Sequence, residues 1–228
     1  MKKVILSIVT LSIFAFSCQK NDSAAPPSST EKYMSLTVGS TWNYELINNT
    51  APIGTSTFTL TSSGKDSTIN GKTYHVFTNS SGTANEYFNI SGNDYYTFRS
   101  LPPALGTTSV EYLYLKDNAA AGTSWSQSFP ITLSGVALNA NLINTITQKG
   151  LTKIVKGVTY NDVIHVTTTV SATFMGIPLP ASAIQTDIQS FYAGKYGMVQ
   201  SINKINVNYA GITNNSDQQT NLNTANIK

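Results

Sequence analysis

Strict two-residue alternation constrains the fold of this chain more than any other feature. Ile164, Val166, Thr168, Val170, Ala172 and Phe174 take every second position of one segment, with Val163, His165, Thr167, Thr169, Ser171 and Thr173 between them. Successive side chains of a strand project to opposite faces, so the segment reads as a half-buried antiparallel strand, apolar inside and hydroxyl-bearing outside. At ~3.3 Å per residue it is about 36 Å long, which requires twist or bend rather than a flat ribbon. Trp42, Tyr44 and Leu46 share the period, as do residues 55–61, 73–77, 86–90, 95–98 and 110–115. Val199, Ser201, Asn203, Ile205, Val207 and Tyr209 give a second long strand. Asn70-Gly71 is a strong two-residue hairpin turn, because both residues reach positive φ cheaply. Residues 91–93, Lys149-Gly150 and residues 194–197 read as further turns; residues 101–106, 117–122 and 176–180 read as loops. The expected class is all-β, and a chain of this length fits one sandwich or closed barrel.

Composition agrees and excludes other classes. Charged residues make up 11% of the 228, against ~25% in a typical soluble domain, while 40% are hydrophobic. Ser, Thr and Asn fill roughly a third of the chain, and Thr gives an outer strand face high β-propensity without charge. One cysteine rules out a disulfide framework and a cysteine-rich zinc cluster. A net charge of +3 with no basic cluster argues against nucleic acid as a partner.

The N-terminus reads as an export signal. Met1-Lys2-Lys3 precedes an uncharged apolar run over residues 4–16, too short to span a membrane. The run ends in Ala15-Phe16-Ser17-Cys18, which resembles the lipobox of bacterial lipoproteins. That resemblance implies cleavage after residue 17 and acylation of Cys18, a membrane partner through the lipid, and an outer-membrane location on either its periplasmic or its surface side. Removal of Lys2 and Lys3 with the signal leaves a net charge of +1. Residues 18–32 read as the lipidated end and a flexible tether, 33–209 as the β-domain, and 210–228 as a polar tail that frays.

Four blocks carry a resemblance to a largely uncharacterised family of exported lipoproteins, many from Bacteroidota. Tyr33-Met34-Ser35-Leu36-Thr37-Val38-Gly39-Ser40-Thr41-Trp42-Asn43-Tyr44 matches its opening, Tyr-x-x-Leu-x-x-Gly-x-x-Trp-x-Tyr. Residues 121–125, with Gly122 and Trp125, match a second Gly-x-x-Trp. Residues 160–166 match an aromatic-x-Asp-Val strand start, and residues 191–199 an aromatic-Ala-x-x-x-Gly-x-Val finish. The resemblance implies a single curved antiparallel sheet, half-barrel or clam-like, and carries no catalytic residues.

Chemistry is sparse. His165 and Asp162 are three apart, which in a regular strand puts them on opposite faces, and His75 has no acid beside it in sequence. Two isolated histidines do not make a zinc site, and no phosphate loop or nucleophile elbow is present. A non-enzymatic, lipid-anchored envelope protein without cofactor is therefore expected. The first functional expectation is a lipid or other apolar ligand in the concave sheet face, with Trp42, Tyr44 and Trp125 as groove walls; the competing assignment puts the indoles in the core. The alternative is a surface module that binds glycan or an envelope protein through Tyr87, Tyr95, Tyr96, Tyr112 and Tyr114. A hydrolase stands third.

Overall fold

The computed structural model describes residues 31–100, 109–133, 135–209 and 211–228. The signal, Cys18 and the tether up to residue 30 lie outside the described residues. The first six strands are β1 (Thr41–Asn48), β2 (Gly54–Ile69), β3 (Lys72–Asn79), β4 (Glu86–Ser91), β5 (Asp94–Ser100) and β6 (Ser109–Lys116). They are followed by β7 (Ser124–Leu133), β8 (Val136–Val155), β9 (Val158–Phe174), β10 (Ile177–Pro178), β11 (Ile184–Ala193), β12 (Gly197–Tyr209) and β13 (Ile212–Asn226). All belong to one antiparallel sheet, ordered β6-β5-β4-β3-β2-β1-β13-β12-β11-β9-β8-β7, with β10 on β9. The expected single curved sheet is present, and it curls nearly into a closed barrel; there is no sandwich.

The barrel closes without a backbone ladder. β6 and β7 end the strand order, and side chains bridge the seam between them. The Leu113 amide donates to Gln127 Oε1 at 2.7 Å, and the Leu113 carbonyl accepts from Trp125 Nε1 at 2.8 Å. Buried Asn144 backs the seam: its Oδ1 accepts from Tyr112 Oη at 2.7 Å and from Thr168 Oγ1 at 2.6 Å. Buried backbone groups demand partners, and here Trp and Gln side chains supply what a neighbouring strand would.

Because every pairing is antiparallel, the connections alternate between two ends of the barrel. One end is plugged by residues 31–40. The Lys195 amide donates to Lys32 O at 2.8 Å, the Tyr33 amide to Tyr95 Oη at 3.0 Å, and Tyr33 Oη to Asp162 Oδ2 at 3.0 Å. The tether expected over 18–32 thus ends by Lys32, which is already held to the barrel. Gly197 permits the plug: its φ is +73°, and a Cβ there would sit 3.2 Å from Tyr33 O.

Two sequence expectations are corrected. Residues 210–228 are not a fraying tail: β13 lies inside the sheet, paired with β1 and with β12. The polar composition hid it, because it buries Thr220 and Asn221 beside Leu222 and is held by ladders on both sides. The β-domain therefore extends to Asn226. Lys149-Gly150 is not a turn either. It lies within β8, among register shifts between Ile146 and Lys153, and the hairpin turns instead at Lys156-Gly157, φ +52° and +81°. Beyond these bulges the β8–β9 hairpin lies over the outside of the sheet, with Lys153 Nζ 3.7 Å from the Phe191 ring centroid and Lys156 paired to Glu45 at 3.0 Å.

Gln127→Ala strips the Leu113 amide of its acceptor. The expected cost is about 1–3 kcal/mol in denaturant unfolding. Hydrogen exchange should accelerate at Leu113 ahead of the paired strands, and equal protection of Leu113 in both proteins would contradict a side-chain-closed seam.

Candidate functional site

The barrel interior is not filled. A cavity of about 270 Å³ remains between the plug and the opposite end. Inward positions of β1, β2, β4, β6 and β11 line it with Tyr44, Phe58, Leu60, Phe88, Tyr114 and Tyr192, and Met34 and Met198 add sulfur. These rings pack on one another: Tyr44 lies 5.3 Å from Phe58, and Tyr114 lies 5.4 Å from Tyr192. The lining also includes Glu86, Thr97, Arg99, Ser190, Ser201 and Asn203. Glu86 begins β4 and Arg99 is near the end of β5, so both sit toward the unplugged end. The pocket thus has an aromatic base and a rim of hydroxyls, an amide and two charges of opposite sign.

Burial sets the electrostatics. Desolvation lifts Glu86 above its ordinary carboxyl pKa, although Arg99 and a hydrogen bond from Asn79 Nδ2 at 3.2 Å pull the other way. Burial likewise pushes the Tyr44, Tyr114 and Tyr192 phenols upward, so they stay neutral donors. Arg99 lies over the Tyr112 ring at 5.5 Å, and among the described residues it has no ion-pair partner.

Of the three residues expected to wall a groove, the structure brings Tyr44 alone to the cavity. Trp42 is fully buried in the core, donating Nε1 to Tyr196 O at 2.8 Å and lying 5.5 Å from Phe77. Trp125 closes the seam. Both follow a positive-φ glycine three residues earlier, Gly39 at +79° and Gly122 at +88°. The aromatic concentration over residues 87–114 divides between faces. Phe88, Tyr95 and Tyr114 pair inside, whereas Tyr74, Tyr87 and Phe98 pack together outside. The outer rings are thus engaged with one another, and Tyr96 is covered by Lys72 Nζ at 3.8 Å.

One constellation escaped the sequence. Ser62 Oγ lies 3.0 Å from His75 Nε2, and His75 Nδ1 lies 2.9 Å from Asp66 Oδ1. Counting pairs outward from the Asn70-Gly71 turn would have placed Asp66 opposite His75; the bulge between Ser62 and Lys65 then delivers Ser62. The atoms follow the order of a nucleophilic triad. Yet Ser62 is buried, its hydroxyl donates to Leu36 O at 3.0 Å, and its amide donates to Ser40 O at 3.0 Å. The relay fastens the plug to β2 and β3 and presents no hydroxyl to a substrate. The other histidine, His165, stacks on Phe191 at 4.3 Å under the folded hairpin, and Asp162 bonds Tyr33 rather than His165. Among the described residues no group of three His, Cys, Asp or Glu side chains is arranged to hold a metal.

No family model and no curated protein matches the chain. Among solved structures, the crystal structure of a "putative lipoprotein" from Parabacteroides distasonis ATCC 8503 has the same fold, with a TM-score of 0.51 over 86% of this chain and 99% of that one. The two are 13% identical, so the likeness is one of architecture.

Glu86 makes a pH prediction. Its folded pKa is raised, so the folded state prefers the protonated carboxyl, and stability falls as pH climbs from the unfolded value of ~4.3 through the folded one. Glu86→Gln should therefore be more stable than the parent near neutral pH and indistinguishable from it at pH ~4. Thermal melts across that range check this, and a variant less stable at neutral pH would contradict it.

Proposed function

We propose that this chain is a lipid-anchored protein of the bacterial outer membrane that holds a small amphipathic ligand inside its barrel. One observation carries the ligand: the interior keeps about 270 Å³ open among aromatic side chains that could have filled it. Ligand sites are concave and largely apolar, with a few convergent polar groups, and typically enclose ~300–1,000 Å³. This cavity is at the small end, suited to a short acyl segment or a compact ring system. The apolar part lies on Tyr44, Phe58 and Tyr192, and the polar part meets the Glu86–Arg99 rim and the hydroxyls of Ser190 and Ser201. Opposite charges at the rim match an uncharged or zwitterionic head better than a strongly charged one.

The anchor is supported by Cys18 at the end of an export signal and by a fold shared with a protein described as a lipoprotein. Binding is favoured over catalysis because the triad-like atoms are committed to the plug. Among the described residues no helix is long and apolar enough to cross a membrane.

Two measurements test these statements separately. Cys18→Ala should move the protein from the membrane to the soluble fraction, and retention on membranes would reject acylation. Ser201→Phe, which fills the cavity from β12, should abolish binding of the fluorophore N-phenyl-1-naphthylamine by the purified full chain while its circular dichroism stays unchanged. Undiminished fluorescence would move the ligand elsewhere.

A further inference from the structure

The two ends of the barrel differ in charge. Among the described residues, the connections at the unplugged end are 49–53, 80–85, 135, 175–183 and 211, and none contains Asp, Glu, Lys or Arg. The plugged end carries Glu31, Lys32, Asp117, Lys195 and Lys228. Large apolar side chains are exposed at both ends, with Val38 in the plug and Ile154 and Val158 by the β8–β9 turn, but the three most exposed are at the unplugged end. At the unplugged end Met175 is 85% exposed, Ile53 79% and Ile177 68%, with Phe174 and Val136 beside them at 36% and 37%. They lie in or next to three connections: β1–β2, β7–β8 and β9–β11. Met175 also borders a groove of about 230 Å³ against the β7–β8 hairpin. An uncharged rim bearing several exposed apolar side chains is uncommon on a water-facing surface. Uncharged, apolar residues are what the headgroup–acyl boundary of a bilayer accepts, and charged ones are what it rejects.

We propose that the uncharged connections of this end dock on the surface of the lipid bilayer, with Ile53, Met175 and Ile177 in the interfacial layer and the mouth of the barrel, lined inside by Glu86 and Arg99, facing the membrane. The proposal rests on the lipid-anchored reading for its geometry. The tether enters at the plugged end, far from the rim, so it must run the height of the barrel. β12 has 13 residues, which at ~3.3 Å each and a tilt of ~40° rise about 33 Å along the axis. The twelve residues between Cys18 and Glu31 reach about 40 Å when extended. The anchor can therefore sit in the same bilayer that the rim touches. A ligand would then pass between membrane and cavity without crossing water.

The test uses the full-length protein reconstituted in vesicles of phosphatidylethanolamine and phosphatidylglycerol, a fraction of them with brominated acyl chains. Met175→Cys and Ile53→Cys report on the rim and Asn93→Cys on the plugged end, each labelled with nitrobenzoxadiazole; the parent chain sets the background. Brominated lipid should quench the Met175 and Ile53 probes several-fold more than the Asn93 probe. Placing Met175→Asp and Ile177→Asp in the Ile53→Cys chain should abolish that quenching while flotation with vesicles persists. Quenching at Asn93 alone, no quenching in protein that floats, or cross-linking of rim to rim between two copies without quenching would each overturn the docking. Labelling of the parent chain, or its failure to float, would instead overturn the anchor, so the two failures are distinguishable.

Discussion

Closure at the seam between β6 and β7 is the constraint on which the rest of the structure depends. A long antiparallel sheet that stops short of closing leaves two edges with unpaired amides and carbonyls, and such edges recruit other strands. Here the last strands meet, but their backbones are joined through side chains. Trp125 and Gln127 reach from β7 to the two backbone groups of Leu113, and Asn144 stands behind them. A ladder would hold adjacent strands at ~4.8 Å, whereas an indole and an amide hold them further apart. Tyr112 and Tyr114 of β6, one strand of this seam, line the open interior behind it.

The plug gives that barrel a direction. Residues 31–40 cover one end through Tyr33, the Ser62–His75–Asp66 relay and the Trp42 bond to Tyr196. The chain returns to the same end at its other terminus, where the Lys228 amide meets Ser40 Oγ at 3.1 Å. Glu31, the first described residue, and Lys228 therefore gather on one side. The opposite side is left open. The residue types resembling the opening of an exported-lipoprotein family, Tyr33, Leu36, Gly39, Trp42 and Tyr44, take part in closing the end or lining the space behind it.

The strands of this fold were legible wherever one face is apolar. β9 is the clearest: its inward Ile164, Val166 and Ala172 are buried, as the alternation required. Legibility failed where burial is achieved by polar residues. β13 buries Thr220 and Asn221, so its hydropathy resembles a tail although it sits in the interior of the sheet. Bulges were also invisible. The Lys149-Gly150 dipeptide has the composition of a turn, yet its positive φ bends a strand rather than ending it. The candidate site was only partly legible for the same reason. Tyr44 follows from its strand face, but Glu86 and Arg99 face one cavity from β4 and β5 because of a register that no local pattern states. The two tryptophans drew attention through their size, and size is what the core and the seam needed.

The low charge of the chain acquires a spatial meaning from this architecture. Uncharged polar residues let β13 lie between two other strands without stranding a charge beneath the ladder. Outside, some of the few charges are paired, as in Lys72–Glu111, Lys116–Asp94 and Lys204–Asp217, and these partly exposed pairs contribute little stability each. Inside, Glu86 and Arg99 are charged side chains that reach the cavity, and among the described residues no carboxylate neutralises Arg99 at contact distance. A chain that economises on charge everywhere else places two opposite charges at the rim of an otherwise aromatic pocket. Packing alone offers no reason for that, because an apolar pair would cost less to bury. The proposed ligand, with its polar head, would account for that placement.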